Sequence, residues 1–339
     1  MTARRTAAVV LAAGQGTRMR STLPKPLHPV CGRPLVAWAV DAAAGAGPER
    51  VVVVVGHGAE RVRAGTGPTA VPLSFAVQEE QKGTGDAAAA ALACLPEGAV
   101  DVVVLPGDAP LLRPETVAGM LAEHRGTQAA ATMLTVRMAD PHGYGRVVRD
   151  AGGAVVRVVE EKDATPAEKA VDEVCTSIYC FRGEVLADAL GRLSPENAQG
   201  EYYLTDVIGI LTGAGRPVAT FEVLDATEPA GVNDRVQLAQ AERVMRRRIN
   251  EAHMRAGVTM VDPDATYVAP TVSLGRDVTL LPGTFLAGAT VVGDGSTVGP
   301  CAVLTDCQVA AGVVVPPGSW NGVTLTGPGD GRPAPDVGR

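Results

Sequence analysis

The chain is poor in aromatics: Phe, Tyr and Trp make up 3% of its 339 residues. So few rings leave little surface for stacking bases, and a net charge of -7 gives no broad field for a phosphate backbone, so a nucleic-acid partner is not expected. No run reaches the ~18 consecutive apolar residues of a membrane span, and no membrane partner is expected either. Arg4 and Arg5 precede an apolar stretch, but it covers only residues 7–13 and ends in a glycine turn rather than a cleavage site, which argues against an export leader. The six cysteines (Cys31, Cys94, Cys175, Cys180, Cys301, Cys307) include no CxxC pair and no histidine at metal-ligand spacing. In a chain this long they read as free thiols, so a cytoplasmic protein is expected. One further absence is local. Residues 1–33 hold Arg4, Arg5, Arg18, Arg20, Lys25 and Arg33 but no Asp or Glu, although the whole chain has 37 acidic and 30 basic side chains.

What is present is 46% hydrophobic sequence, enough for a well-buried core and, by the usual domain size, two domains. "AAVVLAAG" (7–14), "RVVVVVG" (50–56), "VDVVVLPGD" (100–108) and "AAATMLTV" (129–136) are continuous apolar runs of the kind a strand buried on both faces shows. Between them, "PLVAWAVDAAAGAG", "GDAAAAALACL" and "PETVAGMLAEHR" suit helices. The alternation predicts an α/β domain with a mostly parallel sheet, whose ligands bind beyond the carboxyl ends of the strands, where Gly14, Gly56 and Asp108 fall.

The rhythm changes after about residue 230. Leu238, Ala241, Met245, Ile249 and Ala252 recur at spacings of three and four, predicting an amphipathic helix over 236–256 whose "RRR" (246–248) lies on a solvated face. Val268, Leu274, Leu280, Leu286, Val292, Val298 and Leu304 then recur at every sixth residue, the mark of a β-helix. Seven repeats amount to between two and three coils. The expected domains are 1–230, a linker helix over 231–257, a truncated β-helix over 258–320 and a poorly ordered tail over 321–339, which is rich in Gly and Pro.

Gly14 and Gly16 follow a predicted strand, but Met19 stands where GxGxxG needs its last glycine, and no GK[ST] follows. A glycine turn ending a buried strand still offers unobstructed backbone N–H groups, and Arg18 and Lys25 add full charges on the same segment. That combination suits a triphosphate; the plainer reading is a tight turn among surface cations.

"LAAGQGTRM…LPKPLH" resembles the N-terminal signature of the sugar-1-phosphate nucleotidyltransferases, specifically the bacterial N-acetylglucosamine-1-phosphate uridylyltransferases, the pyrophosphorylase half of a bifunctional uridylyltransferase/acetyltransferase. "QEEQKGTGDA" (78–87), "PGDAPLL" (106–112), "GYGRVV" (143–148), "VEEKDAT" (159–165), "NAQGEYYLTD" (197–206) and "GVNDRVQLA" (231–239) resemble that family's segments in the same order. The resemblance implies a Rossmann-like, mostly parallel nucleotidyltransferase domain followed by a short left-handed β-helix that supports homotrimers. It also implies the reaction: a sugar phosphate attacks the α-phosphorus of a nucleoside triphosphate, expected to be UTP, and pyrophosphate leaves. By the same resemblance Arg18 and Lys25 are catalytic. Leu11, Ala12, Ala13, Gly14, Gly16, Gln78, Gly83 and Thr84 bind the nucleotide. Gly145, Glu160, Lys162, Cys175, Tyr203 and Thr205 hold the sugar phosphate, and Asp108 and Asn233 ligate Mg2+. Taken alone, Gln78 reads as an exposed strand end and Asp108 as a turn former before Ala-Pro.

Two departures stand out. Cys175 and Ser177 occupy the positions of Asn and Gly in the family's "NTG" or "NAG" segment, so a sugar group recognised by the Asn loses a hydrogen-bond partner. Lys82 replaces a usual Leu and puts a cation near the nucleotide pocket. Acetyl transfer in the family uses a histidine in the β-helix, whereas the last histidine here is His253, so that activity is not expected. Three readings remain: uridylyl transfer to N-acetylglucosamine-1-phosphate; the same chemistry with another hexose or cyclitol phosphate and UTP, dTTP or GTP; and a non-catalytic sugar-nucleotide-binding or scaffold protein.

Overall fold

Continuous Val and Ala runs form the middle of the sheet, as strands covered by helices on both faces require. The computed structural model describes residues 4–98 and 100–327 and divides into two units, Met1–His28 with Pro34–Arg235 and Pro29–Arg33 with Val236–Arg339. In chain order the elements are β1 (Arg5–Leu11), a hairpin of β2 (Pro29–Val30) and β3 (Arg33–Pro34), α1 (Leu35–Ala44), β4 (Arg50–Val55), α2 (Ala59–Gly65) and β5 (Leu73–Val77). Then come α3 (Thr84–Ala91), β6 (Val100–Pro106), α4 (Pro114–Gly126), β7 (Ala131–Arg137), β8 (Gly145–Arg149), β9 (Val155–Val159) and α5 (Pro166–Lys169). β10 (Glu173–Arg182), α6 (Gly183–Leu190), α7 (Asp206–Gly213), β11 (Val218–Glu222) and α8 (Arg235–Arg255) follow.

The large sheet runs β11-β7-β10-β6-β1-β4-β5, with β8 paired to β10 and β9 to β8. β1 lies parallel between β4 and β6, with Val9 opposite Val52 and Val104. Odd-numbered Ala7 and Val9 pack with Ala87, Leu186 and Val207 of α3, α6 and α7, and even-numbered Ala8 and Val10 with Val36, Val40, Val117 and Met120 of α1 and α4. The period-two alternation of strand side chains thus builds two cores, one on each face. β10 is the antiparallel member, pairing with β6, β7 and β8, and its register shifts between Cys175 and Tyr179. Ser177, inside that bulge, has φ 60. A left-handed residue at the bulge accounts for the glycine that the resembling segment carries there.

The second unit holds α8 from Val236 onward and three four-stranded parallel sheets. One sheet stacks Thr259–Met260, Thr279–Leu280, Thr297–Val298 and Val314–Val315, and the other two are stacked in the same parallel manner. Val268, Leu280, Leu286, Val292, Val298 and Leu304 are buried, as the sixfold period predicts, and Leu274 is partly buried against them. Four strands per sheet give four coils rather than two to three. The count fell short because after Leu304 the buried positions are Val309, Val315, Trp320 and Leu325, at spacings of five and six. The segment expected to be a tail, 321–339, takes the last residue of one strand, Gly318–Asn321, and all of another, Thr324–Leu325; the rest of it, from residue 328, lies outside the described residues. On α8, Ala252 is exposed, and the buried positions are Ala241, Met245 and Asn250. Asn250 is tolerated there because its amide donates to the carbonyls of Pro263 and Thr266 at 2.8 and 2.9 Å.

Candidate active site

The carboxyl ends of β1, β4 and β6 carry the glycine loop, Gly56 and Asp108. Ala12 N–H donates to Val54 O at 2.9 Å and Gly107 N–H to Leu11 O at 2.8 Å, so the strand ends are stitched before the loop leaves the sheet. Ala12 and Ala13 are buried. A side chain at Gly14 would meet nothing within 4 Å, whereas at Gly16 (φ 64) a Cβ would lie 2.3 Å from Lys25 Cβ. Gly16 is therefore required twice, by its backbone conformation and by the stem of Lys25. Buried Met19 anchors the short 3-10 turn Thr17–Met19 that carries Arg18, and Lys25 opens a second turn, Lys25–Leu27.

Four of the expected residues meet here. Lys25 Nζ pairs with Asp108 Oδ2 and donates to Asn233 Oδ1 at 3.0 Å, while Arg18 donates to the same Asn233 oxygen at 2.8 Å. Asn233 is brought in by a segment tied down at several points. Glu228 accepts from Arg113 N–H at 3.1 Å, Val232 N–H donates to Asp108 O at 2.8 Å, and Arg235 Nε donates to Met19 O at 3.2 Å. Not all six N-terminal cations belong to this cluster. At the opposite end of β1, Arg4 bonds Asp101 at 2.6 Å and Glu184 at 2.7 Å, and Arg5 pairs with Glu49 at 3.4 Å.

On the nucleotide side, Gln78 is buried rather than an exposed strand end. Its Nε2 donates to Gly83 O at 3.0 Å and to Asp86 Oδ2 at 2.7 Å, which commits the amide hydrogens and leaves its Oε1 as the free function among the described residues. Gly83 (φ 115) leaves no room for a Cβ, which would fall 2.5 Å from Tyr202 O, and Thr84 Oγ1 accepts from Leu204 N–H at 3.0 Å. Lys82 is exposed and pairs with its neighbour Glu80 at 2.7 Å, so its charge is balanced locally.

The sugar-side residues form two groups. Thr205 Oγ1 donates to Glu160 Oε1 at 2.9 Å, and burial pushes the Glu160 carboxyl above its ordinary range. A Cβ on Gly145 would come within 3.5 Å of that same oxygen, so the glycine keeps the approach open. Lys162 Nζ bonds Gln199 Oε1 at 2.6 Å, and Gln199 Nε2 donates to Tyr203 Oη at 2.8 Å. Cys175 does not join them. It is 3% exposed, packed in the core with its Sγ against Tyr179 Oη at 3.2 Å, and burial raises its thiol to about 11. Sequence reasoning assigned no role to Gln199 or to Tyr144. Burial and nearby Asp108 push the Tyr144 hydroxyl's pKa up. Both stand inside motifs already quoted, and their polar side chains beside assigned residues were the available signal.

Among the described residues no three His, Cys, Asp or Glu side chains gather as a metal cluster. Mg2+ does not need one, since it is commonly held by one or two carboxylates together with waters and substrate phosphates. Asp108 and Asn233 already aim oxygens at one cation, the Lys25 ammonium, so the donor set fits.

Residues 8–187 match the MobA-like NTP transferase domain family. The chain is 49% identical over 308 residues to the bifunctional protein GlmU of Brevibacillus brevis, covering 91% of this chain and 66% of that protein. To the bifunctional protein GlmU of Cutibacterium acnes it is 47% identical over 332 residues, covering 96% and 78%. It spans about two thirds of the length of the first of these curated relatives. A solved apo UDP-glucose pyrophosphorylase shares the fold, with a TM-score of 0.60 at 16% identity over 72% of this chain and 99% of that one. Among the described residues no helix is long and apolar enough to cross a membrane.

Proposed function

The chain belongs to the GlmU-like sugar-1-phosphate nucleotidyltransferases, and from that premise we propose that it condenses UTP with N-acetylglucosamine-1-phosphate to give UDP-N-acetylglucosamine and pyrophosphate. One phosphate oxygen of the sugar phosphate bonds to the α-phosphorus as the bond to the β-phosphate bridge breaks, and the electron pair leaves on pyrophosphate. Such a transfer needs positioning and charge neutralisation more than covalent help from the protein. The observation that carries this reading is the convergence of Arg18, Lys25, Asp108 and Asn233 beside the glycine loop.

Backbone N–H groups of the loop from Leu11 to Gly16 cradle the triphosphate, and Arg18 and Lys25 neutralise charge that grows on its oxygens. Asp108 and Asn233 hold Mg2+, which when bound offsets the negative charge of the two phosphate groups being joined. Gln78 accepts from the base. With its amide hydrogens committed to Gly83 and Asp86, it suits an imide N–H, as in uracil or thymine. Glu160 and Thr205 meet sugar hydroxyls, and Lys162 and Tyr203 meet the sugar phosphate. On one sheet of the β-helix, exposed Tyr267, Phe285 and Val303 stand in register, an apolar ladder that supports self-association as a homotrimer.

A second reading keeps the chemistry and changes the acceptor. Cys175 is turned into the core and offers the sugar no amide, which favours another hexose or cyclitol phosphate. Pyrophosphate release with Mg2+, crossing UTP, dTTP, GTP, ATP and CTP with a panel of sugar 1-phosphates, separates the readings. Fast release with UTP and N-acetylglucosamine-1-phosphate supports the first, release with a different sugar supports the second, and silence across the panel contradicts both.

A further inference from the structure

Lys25 stands where a divalent cation would stand. Its ammonium lies against Asp108 Oδ2 and 3.0 Å from Asn233 Oδ1, and the Lys25 and Asp108 side chains are only 17% and 18% exposed. The stem is fixed rather than floating, because Lys25 Cβ, Cγ and Cδ fill the space that a side chain at Gly16 would take. An ammonium and a hard divalent cation compete for the same carboxylate and amide oxygens, and a few Å apart they repel strongly. Both cannot use Asp108 and Asn233 together.

We propose that Lys25 is a resident counter-ion guarding the Asp108–Asn233 pair, so that a divalent cation gains these oxygens only when polyphosphate arrives to take the ammonium. Metal and nucleotide then load as one unit instead of metal first. The displaced ammonium goes to phosphate oxygens, which places the same charge on the triphosphate for the reaction. Arg18, which donates to the same Asn233 oxygen at 2.8 Å, turns with it to the phosphate oxygens. The inference rests on the metal-binding reading of Asp108 and Asn233 given above.

The test is Mn2+ binding to the full chain, read from the electron paramagnetic resonance signal of free Mn2+, with and without a non-hydrolysable UTP analogue. Wild type is compared with Lys25→Met, Lys25→Gln and Asp108→Ala. Lys25→Met keeps the stem that Gly16 accommodates and removes the charge; Lys25→Gln carries the test if Lys25→Met does not fold. The expected result is weak Mn2+ binding by wild type without nucleotide and binding at least tenfold tighter in the neutral variants, with most of the nucleotide dependence gone. Equal Mn2+ affinity in wild type and neutral variants without nucleotide, while both bind it with the analogue, overturns the guarding role and leaves the metal reading standing. Mn2+ binding in the presence of the analogue that Asp108→Ala does not weaken removes the metal reading and the proposal with it.

Discussion

Lys25 and Asn233 stand 208 residues apart in the chain and 3.0 Å apart at the site. Their contact exists because two independent pieces of local structure end at the same place. The glycine turn after β1 leaves room for the lysine stem at Gly16, and the segment before α8 is tied to the sheet through the Val232 N–H and Asp108 carbonyl. A cation cradle built from both ends of a domain is costly to assemble by chance and depends on each tether.

Removing Asp108 should remove turnover. Asp108→Ala takes away the carboxylate that faces Lys25, and pyrophosphate release is expected to fall on the order of 10³-fold. Melting temperature checks that the fold survives. Unchanged activity in a folded variant would sink the assignment of Asp108.

The two loop glycines should behave differently. At Gly16 an alanine must adopt φ 64 and place its Cβ 2.3 Å from Lys25 Cβ, while at Gly14 it meets open space. Gly16→Ala is expected to cost about 1–2 kcal/mol of stability from the backbone alone, and to lower kcat/KM at least tenfold by displacing Lys25. Gly14→Ala should leave stability within about 0.5 kcal/mol of wild type. Denaturant titrations of the pair decide it, and equal losses count against the packing argument.

The bulge in β10 makes opposite predictions for its two unusual residues. Ser177→Gly relieves a side chain at φ 60 and should stabilise the protein by about 0.5–1 kcal/mol. Cys175→Asn puts an amide into a core position and should destabilise by about 1–3 kcal/mol. If Cys175→Asn instead speeds turnover of an N-acetylhexosamine phosphate at no cost in stability, that position faces the sugar and the core placement is wrong.

His124 sets an acid limb on stability. Burial is the largest cause of its pKa falling to about 4, and its ring lies against Thr132 at 3.0 Å. The unfolded group titrates near its ordinary value of about 6.5, so the unfolded state binds the proton first. Its contribution is fully present above pH ~6.5 and is lost as pH falls towards about 4, up to about 3 kcal/mol in all. His124→Gln should flatten the loss of unfolding free energy between pH 7 and pH 4.5 by about 2 kcal/mol. An identical pH slope in both proteins would assign the limb elsewhere.

The central strands were legible because burial on both faces leaves a continuous apolar run in β1, β4, β6 and β7. β8, β9 and β10 were not, since charges such as Arg146, Arg149, Arg157 and Glu173 interrupt them, and their pairing depends on ion pairs such as Arg149 with Glu173 at 2.6 Å. In the β-helix the sixfold period was readable up to Leu304 and then lost when single residues dropped out of the turns. At the site, the sequence pattern alone pointed to an anion cradle at the glycine turn; the grouping of Arg18, Lys25, Asp108 and Asn233, which meet in the structure, came from the resemblance. Two facts had no signature in one dimension. Arg4 is spent on Asp101 and Glu184, and Cys175 turns inward beside the bulge that separates it from Tyr179.

The most direct measurement is a phosphorus-31 NMR time course of the purified chain with UTP, N-acetylglucosamine-1-phosphate and Mg2+. Uridylyl transfer predicts loss of the triphosphate and sugar-monophosphate resonances together with matched growth of a diphosphate diester and of free pyrophosphate, all absent with Asp108→Ala. Spectra in which the nucleotide and the sugar phosphate stay unchanged, or in which UTP is lost without a diester, would contradict uridylyl transfer to this sugar.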